Sequence, residues 1–198
     1  MLDFLVLAQQ CAPDVHQDTM RRIVHVESSF NPYAIGVVGG RLERQPRNRE
    51  EAIATAEWLE RNGYNYSVGL AQVNKTNFGK YGLTLQTAFE ACPNLWAGGQ
   101  ILKDCFVRAS KSRSDEQAAL RDAFSCYYSG NFITGHKHGY VLKVVGNGSA
   151  VPPAVPRKPK GASDNKTSGD KGAQAATTPT RETAPDEAAR PSHSALLF

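Results

Sequence analysis

The feature that most limits what this chain can fold into is a change of composition at Asn147. Seven of the eleven prolines lie from Asn147 onward, where the terminal Phe198 is the only aromatic residue. Such a stretch cannot bury enough apolar surface to offset its chain entropy. Its Val151–Pro156 run predicts extended backbone and the remainder a flexible segment. The reading is therefore one folded domain in residues 1–146 and a Pro/Ala/Thr/Lys-rich disordered tail in 147–198. The tail explains why mean hydropathy is only -0.43 although 40% of the residues are hydrophobic.

Charge narrows the partners only slightly. The chain carries a formal +4, shared about equally between the two parts, with no Lys/Arg-rich element of the kind that marks a nucleic-acid binder. Mild basicity is compatible with an anionic polymer such as a cell wall. The apolar start, Leu2 to Ala8, has no preceding Lys or Arg and an Asp at position 3. It reads as a packed N-terminal helix, neither a clear signal peptide nor a membrane span.

Helical spacing runs from Asp18 to Phe30 through Met20, Ile23 and Val24, and Asn31-Pro32 ends it. A polar loop follows over residues 36–48. Asn48 can cap a second helix with Glu50 and Glu51 in its first turn, an apolar face of Ala52, Ala56 and Leu59, and a stop at Asn62-Gly63. Alternation at Tyr64, Tyr66, Val68 and Leu70 predicts a short extended stretch or hairpin. Further helices are expected over 84–91 (stopped before Pro93), 94–110, 114–128 and 139–145. The fold class is thus mainly α, with one small β element.

The cysteines at 11, 92, 105 and 126 have no CxxC spacing, so a metal cluster is not expected. Two disulfides and four buried free thiols both remain open. A Cys92–Cys105 bond is disfavoured, because a helix over 94–110 rises about 1.5 Å per residue and a disulfide spans at most about 7 Å between Cα atoms. His136 and His138, in a loop with no carboxylate nearby in sequence, read as solvent-facing and not as a metal pair. Gly36, Gly39 and Gly40 match no phosphate or dinucleotide loop, and no Gly-x-Ser-x-Gly elbow occurs. No cofactor is expected.

Glu27 stands out by position. It follows Ile23 by four residues and Val24 by three, so on a helix its carboxyl lies beside the apolar stripe. Desolvation there would raise its pKa toward that of a general acid working near neutral pH. Position alone favours a helix-edge Glu that snorkels to solvent or pairs with Arg21 or His25.

Its neighbours decide between the two. Val26-Glu27-Ser28-Ser29-Phe30-Asn31-Pro32-Tyr33-Ala34 resembles the "Glu-Ser, aromatic, Asn-Pro" motif of the lytic transglycosylase (SLT) family. Ser67-Val68-Gly69-Leu70-Ala71-Gln72-Val73-Asn74 resembles that family's Gly-Leu-Met-Gln motif. Ala123-Phe124-Ser125-Cys126-Tyr127-Tyr128-Ser129-Gly130 resembles its Ala-Tyr-Asn-x-Gly motif. Within the family the likeness is to the VirB1-like branch, the wall-cutting accessory proteins of type IV secretion systems. Ala71 replaces the usual Met and Tyr128 the usual Asn.

The resemblance implies a lysozyme-like α+β fold and non-hydrolytic cleavage of the MurNAc–GlcNAc β-1,4 bond in peptidoglycan. Glu27 would be the single catalytic residue, acid and then base, closing a 1,6-anhydro ring on MurNAc. Ser28, Gln72, Asn74 and Tyr127 would bind substrate, the Gln72 amide and the Tyr127 hydroxyl meeting either an acetamido group or Glu27. The implied location is the periplasm, with glycan strands and secretion-system components as partners. A hydrolytic lysozyme would need a second carboxylate, for which Glu43, Glu57, Asp104 and Asp122 are available. A wall-binding protein that no longer cuts is the reading from another class.

Overall fold

The computed structural model describes residues 4–146; the tail expected over 147–198 lies outside them. The chain runs α1 (Phe4–Cys11), α2 (Gln17–Ser28), β1 (Ile35–Val37), α3 (Arg49–Arg61), β2 (Tyr66–Val68), β3 (Val73–Asn74), α4 (Ala91–Ser110), α5 (Glu116–Ser129), α6 (Thr134–Lys137) and α7 (Tyr140–Val145), with three 3-10 turns between β3 and α4. The fold is mainly helical with one small sheet, a lysozyme-like α+β arrangement. Among the described residues, no helix is long and apolar enough to cross a membrane.

Two apolar clusters divide the structure. The larger is built by α1, α2, α4, α5 and α7, through residues such as Met20, Ile23, Leu95, Leu102, Leu120 and Phe124. The smaller joins the sheet to α3 and the turns before α4, with Val68, Val73, Ala52, Ala56 and Phe89. α4 serves both, since its Leu95 enters the first cluster and its Ala97 the second. At 100° per residue, neighbouring positions of one helix readily face two different cores.

The sheet is antiparallel in the order β1-β2-β3, with Ile35 opposite Val68, Val37 opposite Tyr66, and Val68 opposite Val73. β1 lies partly where a polar loop was expected. Gly36, flanked by buried Ile35 and Val37, gives the alternation of a strand, too brief to read against the glycines and charges that follow. The extended stretch expected around Tyr66 and Val68 is β2.

α3 begins and ends as its sequence signals require: the Asn48 side chain accepts from the Glu51 N–H at 2.9 Å, and Asn62 closes the other end. α5 begins at the Asp115 cap. Three boundaries differ from expectation. Pro93 does not stop a helix but lies in the first turn of α4, where a missing N–H costs nothing because those donors have no intrahelical acceptor. The expected helix over 84–91 is instead a 3-10 turn, Thr87–Phe89. α2 stops at Ser28, before Asn31-Pro32, because Ser29 and Phe30 take left-handed φ values of 50° and 65°.

Both pairs of cysteines are bonded, Cys11 to Cys92 and Cys105 to Cys126, with Cα separations of 4.8 and 5.7 Å. The first pins the end of α1 to the start of α4; the second joins α4 to α5.

Candidate active site

Glu27 lies in the last turn of α2, with Ile23 and Val24 fully buried on the adjoining face. The Arg21 guanidinium pairs with Asp18, at 2.7 Å, and not with Glu27. What meets Glu27 is the hydroxyl of Tyr140, which donates to its Oε1. The side chain keeps partial access to solvent. Even so, protein packs closely enough round the carboxyl for desolvation to raise its pKa from 4.5 to about 8, the Tyr140 hydrogen bond opposing the rise. At neutral pH it is therefore chiefly a carboxylic acid. Tyr140 stays protonated, because burial first, and then the charge of Glu27, pushes its own pKa well up.

Tyr140 was not legible as a site residue. It begins α7, 113 residues from Glu27, and its sequence context, Tyr140-Val141-Leu142, reads as one more apolar helical face. Tyr127, expected to meet Glu27 or an acetamido group, donates its hydroxyl to the Ala71 carbonyl at 2.6 Å. That bond ties α5 to the second motif. Tyr127 remains near enough to Glu27 for the carboxylate to contribute, after burial, to raising the phenol's pKa.

The second motif is shaped by backbone geometry. Gly69 has φ +79°, and a Cβ there would lie 2.3 Å from Asn94 Nδ2 and 2.7 Å from the Ala88 carbonyl. Only glycine meets both demands. Asn94, buried on α4, fills the space: Nδ2 donates to Val68 O (2.9 Å) and Ala88 O (2.8 Å), while Oδ1 accepts from Ala71 N at 2.7 Å. Ala71 is itself fully buried where α4 passes, and a Cβ on Gly98 would meet its methyl at 2.5 Å. The smaller residue at the position the resemblance assigns to Met thus accompanies a close helix approach.

Gln72 was expected to offer its amide to an acetamido group or to Glu27. Both hydrogens of Nε2 are used within the fold, on Ala34 O at 3.0 Å and Gly69 O at 2.9 Å. Ser28 donates to Leu70 O at 2.8 Å and reaches Val24 O at 3.1 Å, linking the first motif to the second. Asn74 caps the turn after β3, its Oδ1 accepting from Thr76 N at 3.1 Å, and its Nδ2 lies 3.3 Å from Ser67 Oγ. Of these residues, Ser28 adjoins Glu27 in the chain and ties it to the loop that holds Gln72, while Asn74 lies beyond that loop on β3. Among the described residues, the only non-glycines with left-handed φ are Ser29, Phe30 and Gln72, all inside the first two motifs. Strain concentrated in this way is usual where geometry serves function.

The other acids are occupied elsewhere. Asp104 binds Lys80 and the Tyr81 hydroxyl, Glu57 lies 3.8 Å from Arg61, and Asp122 pairs with Arg113 and His136. Neither these nor Glu43 perturbs Glu27, whose pKa is set by burial and Tyr140. His136 thus has a carboxylate beside it after all, Asp122 at 3.0 Å, and belongs to α6 and not to a loop. His138 turns to the Tyr128 hydroxyl, at 3.3 Å. Among the described residues, no three His, Cys, Asp or Glu side chains form a group able to hold a metal.

Against known proteins, the family model described as the transglycosylase SLT domain matches residues 4–141. The type IV secretion system protein virB1 of Brucella suis is 54% identical over 174 residues, covering 82% of this chain and 73% of that protein. That of Brucella abortus is 59% identical over 151 residues, 73% of this chain and 63% of the relative. Protein virB1 of Rhizobium radiobacter is 36% identical over 160 residues, 80% of this chain and 66% of the relative. The chain thus spans roughly two thirds of the length of these relatives. No solved structure matches it.

Proposed function

Since the chain belongs to the transglycosylase SLT domain family, we propose that it is a peptidoglycan lytic transglycosylase with Glu27 as its only catalytic carboxyl. The observation that carries this reading is a largely protonated Glu27, held by the Tyr140 phenol, with no carboxylate among the described residues contributing to its shift. Tyr140 donates to Oε1, so the acid proton resides on Oε2, ready for the glycosidic oxygen between MurNAc and GlcNAc. As that bond breaks, positive charge grows at the MurNAc anomeric carbon and the sugar's own acetamido carbonyl stabilises it. Glu27, now ionised and still accepting from Tyr140, takes the proton of the MurNAc 6-hydroxyl. The 6-oxygen closes on the anomeric carbon, giving a 1,6-anhydro sugar without consuming water. A two-carboxylate hydrolase would require a partner about 5–9.5 Å from Glu27.

The setting we infer is a periplasmic enzyme opening the wall locally for a type IV secretion system, a system that the names of the Brucella relatives mention. Ser28, Gln72, Asn74 and Tyr127 then act by shaping the site around Glu27 and the sugar. Mass spectrometry of digested sacculi tests the reaction. Anhydro-MurNAc ends, lost in Glu27→Gln, are the expected outcome. Reducing MurNAc ends would overturn the transglycosylase reading, and unaltered wall clearing and complementation by Glu27→Gln would point to a binding role.

A further inference from the structure

The third motif departs from its family at Tyr128, and the structure gives that departure a use. Tyr128 is buried on α5, and its ring stacks on Tyr140 with centroids 4.7 Å apart and planes 21° from parallel. His138, two residues before Tyr140, meets the same ring from another side: its Nδ1 lies 3.3 Å from the Tyr128 hydroxyl and its ring stands edge-on, 6.0 Å away. Tyr140 in turn donates to Glu27. Three rings from two elements and their connection therefore form one column ending on the carboxyl.

A phenol donor to an acid is useful only while its ring is held. Gly139, just before Tyr140, has φ +73°, a turn that by itself fixes no side chain. Hydrogen-bond strength falls steeply with misalignment, and an aromatic stack restricts a neighbouring ring without competing for its hydroxyl. We propose that Tyr128 is a positioning residue for the reaction: through its stack on Tyr140, braced by His138, it sets the hydroxyl that holds Glu27. An asparagine at this place, as the family motif has it, is too short to supply that stack. The proposal rests on Glu27 being the acid.

The test uses the full chain and the variants Tyr128→Phe, Tyr128→Asn, Tyr140→Phe and Tyr128→Asn/Tyr140→Phe. Tyr128→Phe keeps the stack and should retain nearly full turnover. Tyr128→Asn should lose roughly ten- to hundredfold in kcat, the scale of a misplaced catalytic group, with KM little changed. The double variant should be no slower than Tyr140→Phe, because both changes act through one hydroxyl. Independent, multiplying losses would overturn the proposal, as would a defect confined to KM, which would place Tyr128 against the sugar.

A second readout is independent of turnover. Titration of the Glu27 carboxyl by NMR should show its midpoint moved upward in both variants, since Tyr140→Phe removes the hydrogen bond that lowers it and Tyr128→Asn misaligns it. The titratable groups facing Glu27 are Tyr127, Tyr128 and Tyr140, all protonated across that range. A midpoint unchanged in Tyr128→Asn, or lowered by admitted water, overturns the proposal even if the chain cleaves no wall. Melting temperatures of each variant separate misplacement from unfolding.

Discussion

At the scale of the residue, Glu27 sets function against stability. In the unfolded chain it titrates near 4.5, in the folded chain at about 8. Between those values the folded state holds the extra proton, so folding is weakened as pH rises through the window. Below about 4.5 the acid is protonated in both states and the penalty vanishes; above about 8 it levels off. Glu27→Gln should therefore gain on the natural chain in melting temperature from about pH 5 to about pH 8, while losing cleavage. A difference in melting temperature that does not change with pH would show that Glu27 titrates normally. The position of Glu27 was legible in the sequence because a carboxyl three and four residues from Val24 and Ile23 must share their face. Its partner was not, since nothing local to Tyr140 distinguishes a phenol aimed at an acid from one packed in a core.

At the scale of the element, the loop between β2 and β3 depends on α4 for its shape. Gly69→Ala puts an alanine at positive φ and drives its methyl onto Asn94. A loss of about 2–4 kcal/mol is expected, from backbone strain and the disturbed buried amide together. Chemical denaturation measures it, and cleavage should fall more than stability alone explains, because Gln72 and Ala71 lie in the same loop. The element-level reading succeeded where a local signal exists, as at the Asn48 cap. It failed at Pro93, because proline is as acceptable in a first turn as it is disruptive in the middle, and only the tertiary structure says which turn it occupies. The two disulfides differ in leverage. Cys11–Cys92 spans 81 residues of sequence and Cys105–Cys126 spans 21. Loop entropy makes the longer closure worth about 1 kcal/mol more. Replacing each pair with serines and comparing denaturant midpoints should rank them in that order.

At the scale of the whole molecule, residues 4–146 hold two apolar clusters that α4 joins. We propose that these residues fold as an independent domain. A chain ending at Gly146 should melt within a few degrees of the full chain and cleave soluble glycan at a similar rate. A large loss of melting temperature would show that the later residues contribute to the core. The expected division at Asn147 rests on composition alone. The assembly of the domain was not, because the joining of two clusters by α4, and the meeting of α2 with α7 at Glu27, are contacts between distant parts of the sequence.

The order of the cysteines carries a consequence for how the molecule comes into being. Numbered as they leave the ribosome or a translocation channel, the first thiol bonds the second and the third bonds the fourth. An oxidant that simply joins thiols as they appear would thus arrive at the native pattern without reshuffling. Cys11 alone must wait, through the passage of the whole small sheet, for its partner on α4. The covalent history of these four cysteines can be written in one direction, from α1 to α5.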